Sequence, residues 1–64
     1  MPTTELLLVT GEKIEVAGAL EDVAKELENA ARSSAGALAW FDQGANDRLA
    51  VNPVHVALIR RGNG

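Results

Sequence analysis

Between Thr4 and Thr10 the chain carries Leu6, Leu7, Leu8 and Val9 without a polar interruption, and the run stops at Gly11. A continuous apolar run of this length predicts a strand covered on both faces. After the connection Thr10-Gly11-Glu12, the segment Lys13-Ile14-Glu15-Val16 alternates polar with apolar. That is the pattern of a strand with one wet face, so the two segments together predict a β-hairpin. Ala17-Gly18 breaks the alternation, and from about Ala19 to Ser33 the period changes. Leu20, Val23, Ala24, Leu27, Ala30 and Ala31 recur on one stripe, opposite Glu21, Asp22, Lys25, Glu26, Glu28, Asn29 and Arg32. This spacing predicts an amphipathic helix. Glu21 and Asp22 in its first turn suit the helix dipole, and Glu28 with Arg32 is an i to i+4 pair in the favourable order. Gly36 is placed to end it.

The remainder reads as three more strands. Ala37 to Asp42 is the third, Gln43 to Asp47 a polar hairpin loop, and Arg48 to Asn52 the fourth. Asn52-Pro53 marks a turn, because proline lacks a backbone donor and restricts the residue before it. Val54 to Arg60 is the fifth strand, with a single helical turn around Pro53 to His55 as an alternative beginning. The order β-β-α-β-β-β predicts an α+β fold, a small antiparallel sheet with one amphipathic helix packed on one face. Residues 1–61 read as one domain and residues 62–64 as a flexible tail.

Composition changes this picture in one respect. Sixty-four residues bury a small fraction of their surface, so such a chain needs disulfides, a structural metal or oligomerisation. There is no cysteine and one histidine, which removes disulfides and thiolate metal sites and leaves oligomerisation. No cofactor is expected. Met1-Pro2-Thr3-Thr4-Glu5 lacks the basic start of a signal peptide, and no apolar stretch is long enough to span a bilayer. The expectation is a cytoplasmic protein without membrane attachment. Arginine outnumbering lysine, with abundant alanine, points to a high-GC bacterial genome.

Several strands look apolar on both faces, yet one helix covers only one. Leu6 and Leu8 oppose Leu7 and Val9. Val54, Val56 and Leu58 oppose Ala57 and Ile59. The surplus face predicts a contact surface, with a homo-oligomer (a dimer first) or another protein as partner. Its expected residues are Leu7, Val9, Ile59 and one of Trp40 and Phe41, adjacent aromatics that must face opposite ways in a strand.

Candidate chemistry is thin. His55 is the one imidazole and the first residue to test as a general base, but no nucleophile is placed beside it, and it reads as a partly exposed turn or strand residue. Asp42 and Asp47 bracket a loop without the ligand spacing of a calcium site. The helix carboxylates read as a solvated face. No glycine-rich nucleotide-binding pattern occurs. These readings predict a non-catalytic interaction or regulatory module. The alternative is a nucleic-acid-binding regulator using Trp40 or Phe41 for stacking with Arg48, Arg60 and Arg61, if strands four and five are neighbours. The net charge of −3 opposes it.

The strand, Thr-Gly turn, strand, helix and terminal Val51-Asn52-Pro53, Val56 and Ile59 resemble short proteins of actinobacteria and their phages. Asn-Pro before an aliphatic strand is also similar to small bacterial regulatory β-domains of flagellar and LytTR-like type. The resemblance implies a small α+β regulatory domain and transfers no functional residue.

Overall fold

The Leu8 carbonyl accepts the Gly11 N–H at 2.9 Å, and the Leu8 N–H donates to the Glu12 carbonyl at 2.8 Å. Gly11, at φ +93°, closes a three-residue hairpin loop that favours glycine in this position. The loop joins β1 (Thr3–Leu8) to β2 (Lys13–Ala17). The computed structural model describes residues 2–33, 38–44 and 47–62, and Gly36, the expected helix terminator, lies outside them.

Gly18 turns the chain from β2 into α1 (Leu20–Arg32) at φ +124°, its N–H donating to the Pro2 carbonyl at 3.0 Å. The helix has no side-chain cap at Ala19, so its entry is fixed by the backbone around Gly18. Val23 and Leu27 are its buried residues, and Arg32 pairs with Glu28 at 3.4 Å on the exposed side. β3 (Ala39–Asp42) and β4 (Arg48–Val51) form an antiparallel hairpin. A 3₁₀ turn (Pro53–His55) then leads into β5 (Val56–Arg61). Asn52 caps that turn by accepting the Val54 N–H at 3.0 Å. Of the two expected beginnings of the last strand, the helical turn forms.

The fold class is α+β, but the strands divide into two antiparallel sheets, ordered β2-β1-β5 and β3-β4. β1 takes β2 on one side and β5 on the other, so β4 and β5 are not neighbours. β3 packs against β2 and α1 without a hydrogen-bonded ladder to either. Leu6, Val16, Val23, Leu27, Ala39, Phe41 and Val51 form the core, flanked by half-buried Leu8, Ile14, Leu49, Val56 and Ile59.

Two details correct the sequence reading. The β1–β5 register shifts between Leu7 and Leu8, so Leu7 pairs with Leu58 while Leu8 pairs with Val56. This bulge at Ala57 puts Val56 and Ile59 on the same, core-facing side, where strict alternation separated them. Gly62 is not part of a loose tail. Its N–H donates to the Thr3 carbonyl at 2.9 Å, continuing the β1–β5 ladder, while residues 63–64 lie outside the described ones.

Candidate interaction surfaces

Strand parity sorts the two aromatics. Ala39 pairs with Val51 and Phe41 with Leu49 on the inner face of the β3–β4 hairpin, while Trp40 pairs with Ala50 on the outer face. Phe41 is accordingly 6% exposed and belongs to the core, whereas Trp40 is 55% exposed. Of the pair, Phe41 is therefore removed from the candidate surface residues. Ile59 lies half-buried on the helix side of its sheet, and not on the outer face with Leu7, because the bulge turns it there.

Around Trp40 the surface is acidic. The indole borders a groove lined by Asp22 and Glu26 of α1 and by Asp42, with Gly18 and Val23 at its floor. The Arg48 guanidinium lies 5.3 Å from the Trp40 ring centre, within cation–π range, and its Nε is 3.6 Å from the Asp42 carboxylate. Leu38 shares the outer side with Trp40 by parity and is also exposed.

A second apolar surface gathers at the hairpin-tip end of β1. The Val9 N–H donates to the His55 carbonyl at 2.8 Å, which brings Val9 beside the 3₁₀ turn. Val9 and Val54 are 62% and 78% exposed, Leu58 is exposed, and Leu7 opposite it is half-buried. The rest of that outer sheet face is charged rather than apolar. Glu5 bonds the Arg60 Nε, Glu15 accepts the Thr3 hydroxyl, and Lys13 stands opposite Leu7. The surplus apolar face expected from the sequence is thus confined to one end of the sheet.

A third surface lies between α1 and β5. Ala24, Leu27 and Ala31 of the helix face Pro53, Val56 and Ile59 across an open groove of about 320 Å³, with Glu28 and Leu58 at its rim.

The three arginines do not converge through paired strands. Arg48 is on β4 beside Asp42, Arg60 is bound to Glu5, and Arg61 ends β5. His55 is exposed, and its backbone serves the turn: the N–H donates to the Asn52 carbonyl and the carbonyl receives Val9. Among the described residues no cluster of three His, Asp or Glu side chains is placed to hold a metal ion. No helix among them is long and apolar enough to cross a membrane. Sequence reasoning missed the α1–β5 groove, because its two walls are far apart in the chain and β5 shows no unusual pattern of its own. Comparison with protein-family models, curated proteins and solved structures finds no match.

Proposed function

We propose that this chain is a non-catalytic protein-interaction module, regulatory or accessory in role, that acts as a homo-oligomer. One observation carries the reading: Val9, Leu38, Trp40, Val54 and Leu58 stand exposed on a chain of 64 residues. Scattered apolar residues on a surface are ordinary, but grouped ones mark contact surfaces. Here they are grouped, at the hairpin-tip end of β1 and on the outer face of β3–β4.

Surface area supports the same reading. The chain exposes 4431 Å², about 500 Å² more than the roughly 3,900 Å² expected of a compact monomer of its mass. The backbone is not expanded: its radius of gyration is 10.9 Å, against about 10.7 Å for a folded chain of this length. Against the alternative of nucleic-acid binding stand the three carboxylates beside Trp40 and the pairing of Arg48 and Arg60 with acids.

Sedimentation velocity at tens of micromolar tests the reading. The expected result is a species of twice the 6.7 kDa chain mass. A strict monomer at that concentration overturns it.

A further inference from the structure

Antiparallel ladders alternate hydrogen-bonded and non-bonded pairs. Because the Gly62 N–H bonds the Thr3 carbonyl, the next bonded pairs along β1 and β5 are Glu5 with Arg60 and Leu7 with Leu58. The N–H and C=O groups of Ile59 and Arg61 therefore point away from β1. No strand among the described residues meets them, since β5 is the last strand of its sheet. An open edge of this kind is a template for another strand. The guards that usually protect such an edge are weak here. β5 contains no proline, Arg60 is engaged with Glu5, and the bulge lies at one end, before Leu58, which leaves Arg61 as the strand's one unpaired charge among the described residues.

The open edge also borders the apolar groove between α1 and β5. A strand added to the edge would run along the open side of that groove. The helix begins beside Arg61 and Gly62 and ends beside Pro53 and Val56, so it runs antiparallel to β5.

We propose that a second copy of this chain occupies the edge, β5 pairing antiparallel with its counterpart about a two-fold axis through Ile59. The product is a six-stranded sheet with both helices on one face. The inference rests on the self-association proposed above and assigns it to the β5 edge rather than to the exposed groups around Val9 and Trp40. Register follows from charge. An axis through Ile59 uses the free Ile59 and Arg61 groups and sets Ile59 against its own copy on the helix side. The neighbouring axis, through Arg60, sets two arginines directly opposite one another, which is unfavourable. In the Ile59 register, Arg61 lies opposite Ala57 of the second copy, next to Val56 and the groove rim where Glu28 stands. Arg61 is exposed and makes no ion pair among the described residues. Its register partner Thr4 is on the helix side of the sheet, so Arg61 shares the side of Glu28. Each copy thus offers a second cation to the other's Glu28, whose 3.4 Å bridge to Arg32 is exposed on both sides, twice per dimer.

The test is the dimer dissociation constant of the full chain, measured by sedimentation for the wild type, Glu28→Arg, Arg61→Glu and the double exchange. Each single exchange is expected to weaken dimerisation by about tenfold, and the double exchange to restore it. Arg61→Pro removes an edge donor that the monomer does not use, so it should give a folded monomer. Lys25→Ala, exposed on α1 and lining neither groove, should leave dimerisation unchanged; circular dichroism checks the fold of every variant. As a measurement free of substitution, the Ile59 and Arg61 amides should exchange more slowly as protein concentration rises. A wild type that is monomeric throughout overturns both this inference and the proposed function. A dimer whose affinity ignores the exchanges at 28 and 61, or whose Ile59 amide exchanges at a rate independent of concentration, overturns this inference alone.

Discussion

The Thr4 hydroxyl donates to the Gly18 carbonyl at 3.0 Å, so a fully buried side chain of β1 holds the residue that turns β2 into α1. Because α1 has no side-chain cap of its own, this bond and the Pro2–Gly18 backbone bond set where the helix starts. Thr4→Val keeps the side-chain shape and removes the donor. The expected cost is about 1–3 kcal/mol, that of a part-buried carbonyl left short of a partner. Urea unfolding followed by Trp40 fluorescence measures it, and stability equal to wild type would show that the bond contributes nothing.

Gly18 and Gly11 both adopt positive φ, but for a side chain they differ in surroundings. A Cβ at Gly18 would stand 3.3 Å from Val23 Cγ2, whereas one at Gly11 would meet nothing within 4 Å. Gly11→Ala should therefore carry backbone strain alone, on the order of 1–2 kcal/mol. Gly18→Ala should cost more, about 2–3 kcal/mol, because the strain is joined by crowding against a core valine. Denaturant midpoints of the two variants settle the order, and equal midpoints would mean that Val23 yields freely.

Neighbouring aromatics should give opposite outcomes. Phe41→Ala empties a buried site in a small core and is expected to cost about 3–5 kcal/mol, enough to unfold much of the population. Trp40→Ala removes an exposed ring whose partner is Arg48, and should cost about 1 kcal/mol or less. Thermal unfolding by circular dichroism compares them without relying on the indole signal. If the Trp40 variant were the less stable, the assignment of faces in β3 would be inverted.

Local pattern carried much of this fold. The helical stripe of Val23 and Leu27, the glycine closing the first hairpin and the opposed faces of Trp40 and Phe41 all depend on near neighbours in the chain. What the pattern could not carry was pairing at long separation. That β5 returns to β1, leaving β3 and β4 as a sheet of their own, depends on which edges compete for Leu6 and Leu7. The bulge at Ala57 is a consequence of that pairing, so the side on which Ile59 lies was illegible for the same reason. Gly62 looked like the start of a tail because its partner, the Thr3 carbonyl, is at the other end of the chain.

Asn52 links the last turn to the first hairpin. Its side-chain oxygen accepts the Val54 N–H at 3.0 Å, its carbonyl accepts the His55 N–H at 2.9 Å, and the His55 carbonyl in turn receives the Val9 N–H at 2.8 Å. Pro53 at the first position of the turn contributes a preset φ and no competing donor. Asn52→Ala loses the side-chain acceptor and is expected to cost about 1 kcal/mol. Asn52→Asp keeps an acceptor in the same place and should cost little. The more telling readout is local. Loosening the turn weakens the carbonyl that holds Val9, so the Val9 amide should exchange faster in Asn52→Ala than in Asn52→Asp. The Gly62 amide, anchored to Thr3 at the far end of the ladder, should be unaffected. Equal acceleration of both amides would mean that the substitution acts on global stability, and that the turn and the hairpin tip are not specifically coupled.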